Sequence, residues 1–191
     1  SYSFLKKYPS AAVVGQPALE MIPNPMPIPP TDLPLTHPLI VWVGGYGEEY
    51  NVALRKFLSE IEILPNAMVI LTYHPKYEGV VEKEMLREFP YPNVFIYDTK
   101  QLPSFHAIAH ADLVICHQST AGLQAALGGK HVVYFTPPGQ KYTNLLIESG
   151  IAPQLTSLKE LKIEETSSQD ILDVLQVPRN GTDRIYSHLH R

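Results

Sequence analysis

Cysteine is almost absent from this 191-residue chain, in which Cys116 is the only one. A single cysteine excludes an intrachain disulfide and suits a reducing compartment. Long apolar runs are also missing, since none approaches the ~20 residues needed to cross a bilayer. Residues 1–7 lack the apolar stretch of a secretory signal. We therefore expect a cytoplasmic protein without a membrane span.

Positive charge is scarce as well. Fifteen Lys and Arg residues stand against nineteen Asp and Glu residues, which gives a net charge of -4, and no basic run occurs. Proteins that bind a nucleic-acid backbone have the opposite balance, so we expect no nucleic-acid partner. Apolar residues make up 45% of the chain and charged residues 18%, which indicates a globular domain.

Apolar strands alternate with helical segments from Leu39 onward. The predicted strands are Leu39–Val43, Ala67–Tyr73, Val94–Tyr97, Leu113–His117 and Val132–Phe135. The predicted helices are Glu48–Ile61, Tyr77–Phe89, Pro103–His110, Ala121–Leu127 and Pro138–Ser149. Strands that are apolar throughout are typical of burial on both faces. The pattern predicts an α/β fold, with a Rossmann-like parallel sheet and helices on both faces.

Proline is concentrated ahead of this region, with seven residues between Pro23 and Pro38. Each proline lacks an N–H group and restricts the residue before it, so the segment predicts an extended connector. We expect residues 1–37 to hold the end of a preceding domain and a Pro-rich linker. Residues 38–176 would form the Rossmann-like domain, and residues 177–191 a C-terminal tail. Because the chain begins with Ser rather than Met, we expect a piece of something longer.

Small and polar residues follow the predicted strands, where ligands of open parallel sheets bind. The stretch with Ser119, Thr120 and Ala121 lies between a strand and a helix start, where unpaired N–H groups attract phosphate. The two hydroxyl groups add donors to this anion site. Gly45, after the first strand, and His74, after the second, are further candidates. Each of these loops is also compatible with an ordinary turn.

Gln140 and Asn144 are spaced four apart in the helix predicted at residues 138–149. They would share one helix face beside the same ligand crevice. Amide groups both donate and accept hydrogen bonds, which suits a hydroxyl-rich ligand. The alternative is a polar first turn without a ligand.

The histidines do not form a recognisable metal site. His106 and His110 are one helical turn apart, but no metalloprotease Glu or cysteine pair accompanies them. Cys116 lies within an apolar strand, which predicts an inert buried thiol. Ser119 is not in a Gly-x-Ser-x-Gly elbow, so hydrolase chemistry is disfavoured. We predict no bound metal, and we expect that His117 is not a metal ligand either.

Taken together, these segments resemble the C-terminal, donor-binding half of a two-domain glycosyltransferase of the GT-B architecture. The segments at residues 13–20 and 43–47 are similar to parts of lipid-A-disaccharide synthase and of the lipid II N-acetylglucosaminyltransferase. Residues 111–115 match a strand common in that superfamily, and residues 139–152 resemble its Gln-x-x-x-Asn-Ala helix. His74-Pro75 and Ser119-Thr120 are similar to the paired motifs of bacterial sialyltransferases.

The resemblance implies a nucleotide sugar as donor substrate, a glycan or lipid-linked acceptor, no cofactor and no metal. It implies phosphate binding by Gly45, His74, Ser119, Thr120 and Ala121; ribose and base binding by Gln124, Tyr97 and Leu102; and sugar binding by Gln140 and Asn144. Many relatives carry a Glu at the position of Gln124, so the identity of the nucleotide stays open.

The resemblance also implies that catalytic residues belong to an N-terminal acceptor domain or to a partner subunit. The chain alone would then be incomplete and inactive. Metal-independent glycan synthesis at the cell envelope would place it in the cytoplasm or peripherally at the inner membrane. The alternatives are a nucleotide-sugar 2-epimerase and a non-catalytic nucleotide-sugar-binding subunit.

Overall fold

A computed structural model describes residues 22–161, with the exception of residue 24. The motif predicted at residues 13–20 and the tail predicted at residues 177–191 lie outside the described residues, as does the predicted end of the domain. Within them, strands and helices alternate as β1 (Leu39–Trp42), α1 (Glu48–Ser59), β2 (Met68–Leu71), α2 (Val80–Glu88), β3 (Val94–Phe95), α3 (Ser104–His110), β4 (Leu113–Cys116), α4 (Ala121–Leu127), β5 (His131–Phe135), α5 (Leu145–Glu148) and β6 (Gln154–Leu155).

The strands form one parallel sheet with the order β3-β2-β1-β4-β5-β6. In the register, Val41 of β1 lies opposite Ile70 of β2 and Val114 of β4. The chain first builds the sheet outward from β1 to β3 and then crosses back to β4. The strand order therefore reverses between β1 and β4, and all strand carboxyl ends lie at one edge of the sheet. We call this edge the carboxyl edge.

Each face of the sheet carries its own apolar core, because successive side chains of a strand point to opposite faces. Leu39 and Val41 face a cluster that includes Ala107 of α3 and Ala125 of α4. Ile40 and Trp42 face a second cluster that includes residues of α1 and α2. The prediction of an α/β parallel sheet with helices on both faces is confirmed.

The proline-rich segment packs against the domain where the structure describes it. Met26 is buried, and its N–H group donates to Gly128 O at 2.8 Å. Asp112 Oδ2 lies 2.6 Å from His37 Nδ1 and accepts a bond of the same length from the Leu39 N–H group. No helix or strand is formed between residues 25 and 37. These contacts fix the direction in which the chain enters β1.

Several predicted element bounds were wrong. The helix predicted from residue 138 begins only at Leu145, because Asn144 is extended and its side chain caps α5. The helix predicted from Tyr77 begins at Val80, because Glu78 and Gly79 adopt left-handed backbone conformations. The first predicted helix ends two residues early, at Ser59, and a short 3₁₀ turn follows it. The edge strand β6 was not predicted.

Candidate functional site

The first turn of α1 joins two loops at the carboxyl edge. Glu49 Oε2 accepts a hydrogen bond from Gln118 Nε2 at 2.9 Å, in the loop after β4. The backbone oxygen of Glu49 accepts another from Gln140 Nε2 at 3.0 Å, in the loop after β5. Because both loops are tied to one helical turn, the loops after β1, β4 and β5 form one continuous surface. This surface lies where the strand order reverses, which is where open α/β sheets bind ligands.

The glycine loop after β1 is shaped by close packing. A Cβ atom on Gly44 would lie 2.4 Å from the Cα atom of Tyr73, and one on Gly45 would lie 2.5 Å from the ring of Tyr50. The Gly44 N–H group donates to Thr72 Oγ1 at 3.0 Å, which fixes the loop to the end of β2. Packing therefore accounts for both glycines. Phosphate binding by Gly45 stays a prediction.

His74 has a defined tautomer at the end of β2. Its Nδ1 accepts a hydrogen bond from the Lys76 N–H group at 3.3 Å. In the neutral ring the proton is therefore on Nε2, which is left as a donor. A donor of this kind suits the oxygen atoms of a phosphate group.

His74 belongs to an aromatic cluster with Tyr46 and Tyr77. Its ring centroid lies 5.3 Å from that of Tyr46 and 5.6 Å from that of Tyr77, and the two tyrosine rings stack at 5.9 Å. Tyr46 is 66% exposed and Tyr77 is 42% exposed. Sequence reasoning missed both tyrosines. The available signal was an aromatic residue between glycines and a second one three residues after His74.

The loop between β4 and α4 offers fewer donors than its sequence suggests. The Ala121 N–H group donates to Ser119 Oγ at 3.2 Å, so it is already paired. The Ser119 and Thr120 N–H groups have no acceptor among residues 22–161 that the structure describes. Thr120 is exposed, and its hydroxyl makes no side-chain cap for the seven-residue helix α4. Two backbone donors and the hydroxyl groups of Ser119 and Thr120 therefore remain for a ligand.

His117 has the opposite tautomer to His74. Its Nδ1 lies 3.0 Å from Phe135 O, and because a carbonyl only accepts, Nδ1 carries the proton. Its buried Nε2 is then a lone-pair acceptor, and no described group donates to it. Burial lowers the pKa of His117, although the Phe135 carbonyl and the Glu49 carboxylate oppose this shift. Sequence analysis considered His117 only as a metal ligand.

The remaining predicted site residues are in different environments. Gln124 is exposed on α4, and the half-buried ring of Tyr97 stacks on Phe95 with 6.3 Å between centroids. Leu102 is buried in the core, and its N–H group donates to Asp98 O, so its place beside a base stays a prediction.

Gln140 and Asn144 do not share a helix face, because the chain is not helical between them. Asn144 Oδ1 accepts hydrogen bonds from the Leu146 and Ile147 N–H groups, and its Nδ2 donates to Tyr142 Oη at 3.2 Å. The Oδ1 atom of Asn144 is therefore used as a helix cap, and sugar binding by Asn144 stays a prediction. The buried Oε1 of Gln140, in contrast, has no partner among the described residues.

No group of three His, Cys, Asp or Glu residues within the described part of the chain could hold a metal ion. His106 is exposed and His110 is half-buried. Burial raises the pKa of the Cys116 thiol, which agrees with the inert thiol predicted for it. In the same residues, no helix has the length and apolar character to cross a membrane.

No family model and no curated protein matches the chain. Among solved structures, it is similar to the β-Kdo 2,7 transferase KpsC of Thermosulfurimonas dismutans, with 20% identity, a TM-score of 0.43 and coverage of 74% of this chain and 46% of that one. It is also similar to a glycotransferase of kitacinnamycin, with 16% identity, a TM-score of 0.44 and coverage of 82% and 39%. The chain spans less than half the length of either structure. Likeness at this level does not assign a function.

Proposed function

We propose that this chain is the nucleotide-sugar-binding domain of a glycosyltransferase of the GT-B architecture. The observation that carries the proposal is a set of donors on both sides of β1 at the carboxyl edge that have no acceptor among the described residues. These donors are the Nε2–H group of His74, the N–H groups of Ser119 and Thr120, and the hydroxyls of both residues. An anionic ligand at the reversal of strand order is what such donors would bind.

The proposed reaction is the attack of an acceptor hydroxyl on the anomeric carbon of the donor sugar. The acceptor hydroxyl gives its proton to a base on the acceptor side, the bond from that carbon to the nucleotide phosphate breaks, and the departing phosphate gains negative charge. Fixed N–H and O–H donors stabilise a developing charge of this kind without reorganising during the reaction. The nucleotide sugar is the donor substrate, and the proposal needs no cofactor.

The other predicted contacts are part of the same proposal. Exposed Gln124 would hold ribose hydroxyls, and the backbone near Tyr97 would line the base pocket. Gln140 would accept from a sugar hydroxyl through the Oε1 atom that has no described partner. The acceptor, a glycan or a lipid-linked glycan, would enter from an N-terminal acceptor domain or a partner subunit. Catalytic residues would come from that side.

Thermal unfolding with uridine, cytidine and guanosine nucleotides, and with their sugars, tests the proposal. A ligand at 100 times its Kd stabilises the fold by about 2.7 kcal/mol, which is readily measured. His74→Phe keeps an aromatic ring in the cluster and removes the Nε2 donor. Thr120→Val keeps the side-chain shape and removes the hydroxyl.

Each variant should weaken nucleotide binding by about tenfold or more, because each removes a hydrogen bond to a charged group. Thr156→Val is the matched control, since Thr156 follows the outermost strand β6 and its side chain bonds, among the described residues, only to Glu160. A wild-type protein that no nucleotide stabilises would rule out the proposal. Equal affinity of Thr120→Val and Thr156→Val would rule out the phosphate assignment.

A further inference from the structure

We propose that a cavity beside α2 is a second ligand site, which binds a small saccharide carrying a phosphate or carboxylate group. The cavity has a volume of about 360 Å³ and is lined by Tyr73, Lys83, Leu86, Arg87, Ile96 and Asp98. This volume lies within the range of small-molecule sites, roughly 300–1,000 Å³. The cavity is separate from the donors near Ser119, although Asp98 follows Tyr97, whose backbone is proposed to line the base pocket. The inference does not depend on the proposed function.

Two cations face this cavity from one side of α2. Lys83, Leu86 and Arg87 are spaced at positions i, i+3 and i+4, so they share one helix face. Neither cation forms an ion pair in the part of the chain that the structure describes. Lys83 Nζ donates to Glu78 O at 2.9 Å, and Arg87 has no described partner.

Two neighbouring cations, in contrast, each form an ion pair. Arg55 is paired with Glu88, and Lys56 Nζ lies 2.6 Å from Glu60 Oε1. Lys83 and Arg87 are therefore left to bind an external anion. The planar guanidinium of Arg87 matches the geometry of phosphate and carboxylate groups, and Lys83 adds a second positive charge.

Tyr73 gives the cavity a rigid aromatic wall. Its hydroxyl accepts a hydrogen bond from the Thr99 N–H group at 3.2 Å. A Cβ atom on Gly79 would lie 2.8 Å from the Tyr73 ring, so Gly79 packs directly against it. Lys83 Nζ lies 5.7 Å from the ring centroid. The ring is thus held in place before a ligand arrives, and the small part of Tyr73 that is exposed gives a ligand an apolar contact.

Asp98 adds an acceptor to the cavity. One carboxylate oxygen accepts from the Lys100 N–H group at 2.7 Å, and no described residue donates to the other. A sugar hydroxyl is a donor that matches this oxygen. Two cations, an aromatic wall and one carboxylate together favour a ligand with a negative group, a ring and a hydroxyl group. A sugar phosphate or a sugar acid has all three.

Isothermal titration with glucose 6-phosphate, glucuronate, glucose and inorganic phosphate tests this site. The two charged sugars should each bind at least about tenfold more tightly than glucose, because an ionised partner strengthens each hydrogen bond. Stronger binding of one charged sugar than the other identifies phosphate or carboxylate as the preferred group. Inorganic phosphate that binds as tightly as glucose 6-phosphate would overturn the saccharide assignment.

Arg87→Met and Lys83→Met keep the aliphatic stems and remove the charges. Each should weaken binding of the charged sugars by about tenfold, while Lys159→Met, an exposed lysine far along the chain, should leave it unchanged. Equal affinities of Arg87→Met and Lys159→Met, with unchanged thermal unfolding, would overturn the proposal. His74→Phe should not alter this binding. A chain that binds charged sugars but no nucleotide would support this site and refute the proposed function alone.

Discussion

The buried hydroxyl of Tyr50 joins three elements of the fold, and its removal is a sharp test of the packing described above. It donates to Glu82 Oε1 of α2 at 2.6 Å and accepts from Trp42 Nε1 of β1 at 3.2 Å. Tyr50 and Glu82 are both only 2% exposed. Tyr50→Phe keeps the ring beneath Gly45, so the substitution removes the two hydrogen bonds without opening a large cavity.

The expected loss of stability follows from these two bonds. A hydrogen bond to a charged group contributes about 1.5–3 kcal/mol, and a neutral one about 0.5–1.5 kcal/mol. When Glu82 is ionised, Tyr50→Phe should therefore lower the free energy of unfolding by about 2–4.5 kcal/mol. Domains are stable by only about 5–15 kcal/mol in total, so this is a large fraction.

Urea unfolding measures the loss directly. Trp42 is the only tryptophan of the chain and contacts the network, so its fluorescence reports the transition. Tyr91→Phe is the matched control, because Tyr91 is half-buried and its hydroxyl makes no hydrogen bond with a described residue. The control should change stability by less than about 0.5 kcal/mol. Equal losses in the two variants would refute the account of Tyr50.

Two further substitutions test the same region. Burial raises the pKa of Glu82 from its usual 4.5, against the opposing hydrogen bond from Tyr50, so the folded chain holds this proton more tightly than the unfolded chain. The free energy of unfolding should fall as the pH rises from 4.5 through the raised pKa of Glu82. In Glu82→Gln, the urea midpoint should depend less on pH across the same range. Gly44→Ala should cost about 1–3 kcal/mol, because its Cβ would press on the backbone of Tyr73. A urea midpoint unchanged in Gly44→Ala would contradict the close approach of β1 and β2.

The sheet could be predicted from the sequence because its strands are short apolar runs separated by helical patterns. Leu113–Cys116 and Leu39–Trp42 are buried throughout, as parallel strands with helices on both faces must be. The helix predicted from residue 138 failed for a local reason. Asn144 has the same spacing from Gln140 as two residues on one helix face, but its side chain caps the helix instead.

The candidate site was predictable only where a residue with a suitable functional group directly follows a strand in the sequence. His74 and Ser119 follow strands, so the fold class predicts their place at the carboxyl edge. The burial of Glu82 depends on Tyr50, 32 residues earlier, and no local pattern contains that pairing. The cavity beside α2 likewise depends on how Asp98 and Arg87 are brought together across the fold.

The strand order has a consequence for how the chain folds during synthesis. One edge of β1 pairs with β2, the next strand to be made, and the other edge pairs with β4. The bond between Leu39 and Asp112 spans 73 residues, so β4 is synthesised much later than β1. At roughly 5–20 residues per second, the apolar edge of β1 stays open for about 4–15 s on a ribosome. An unpaired apolar strand edge templates association with other chains. The central position of β1 thus leaves its nascent edge open to such association until β4 is made.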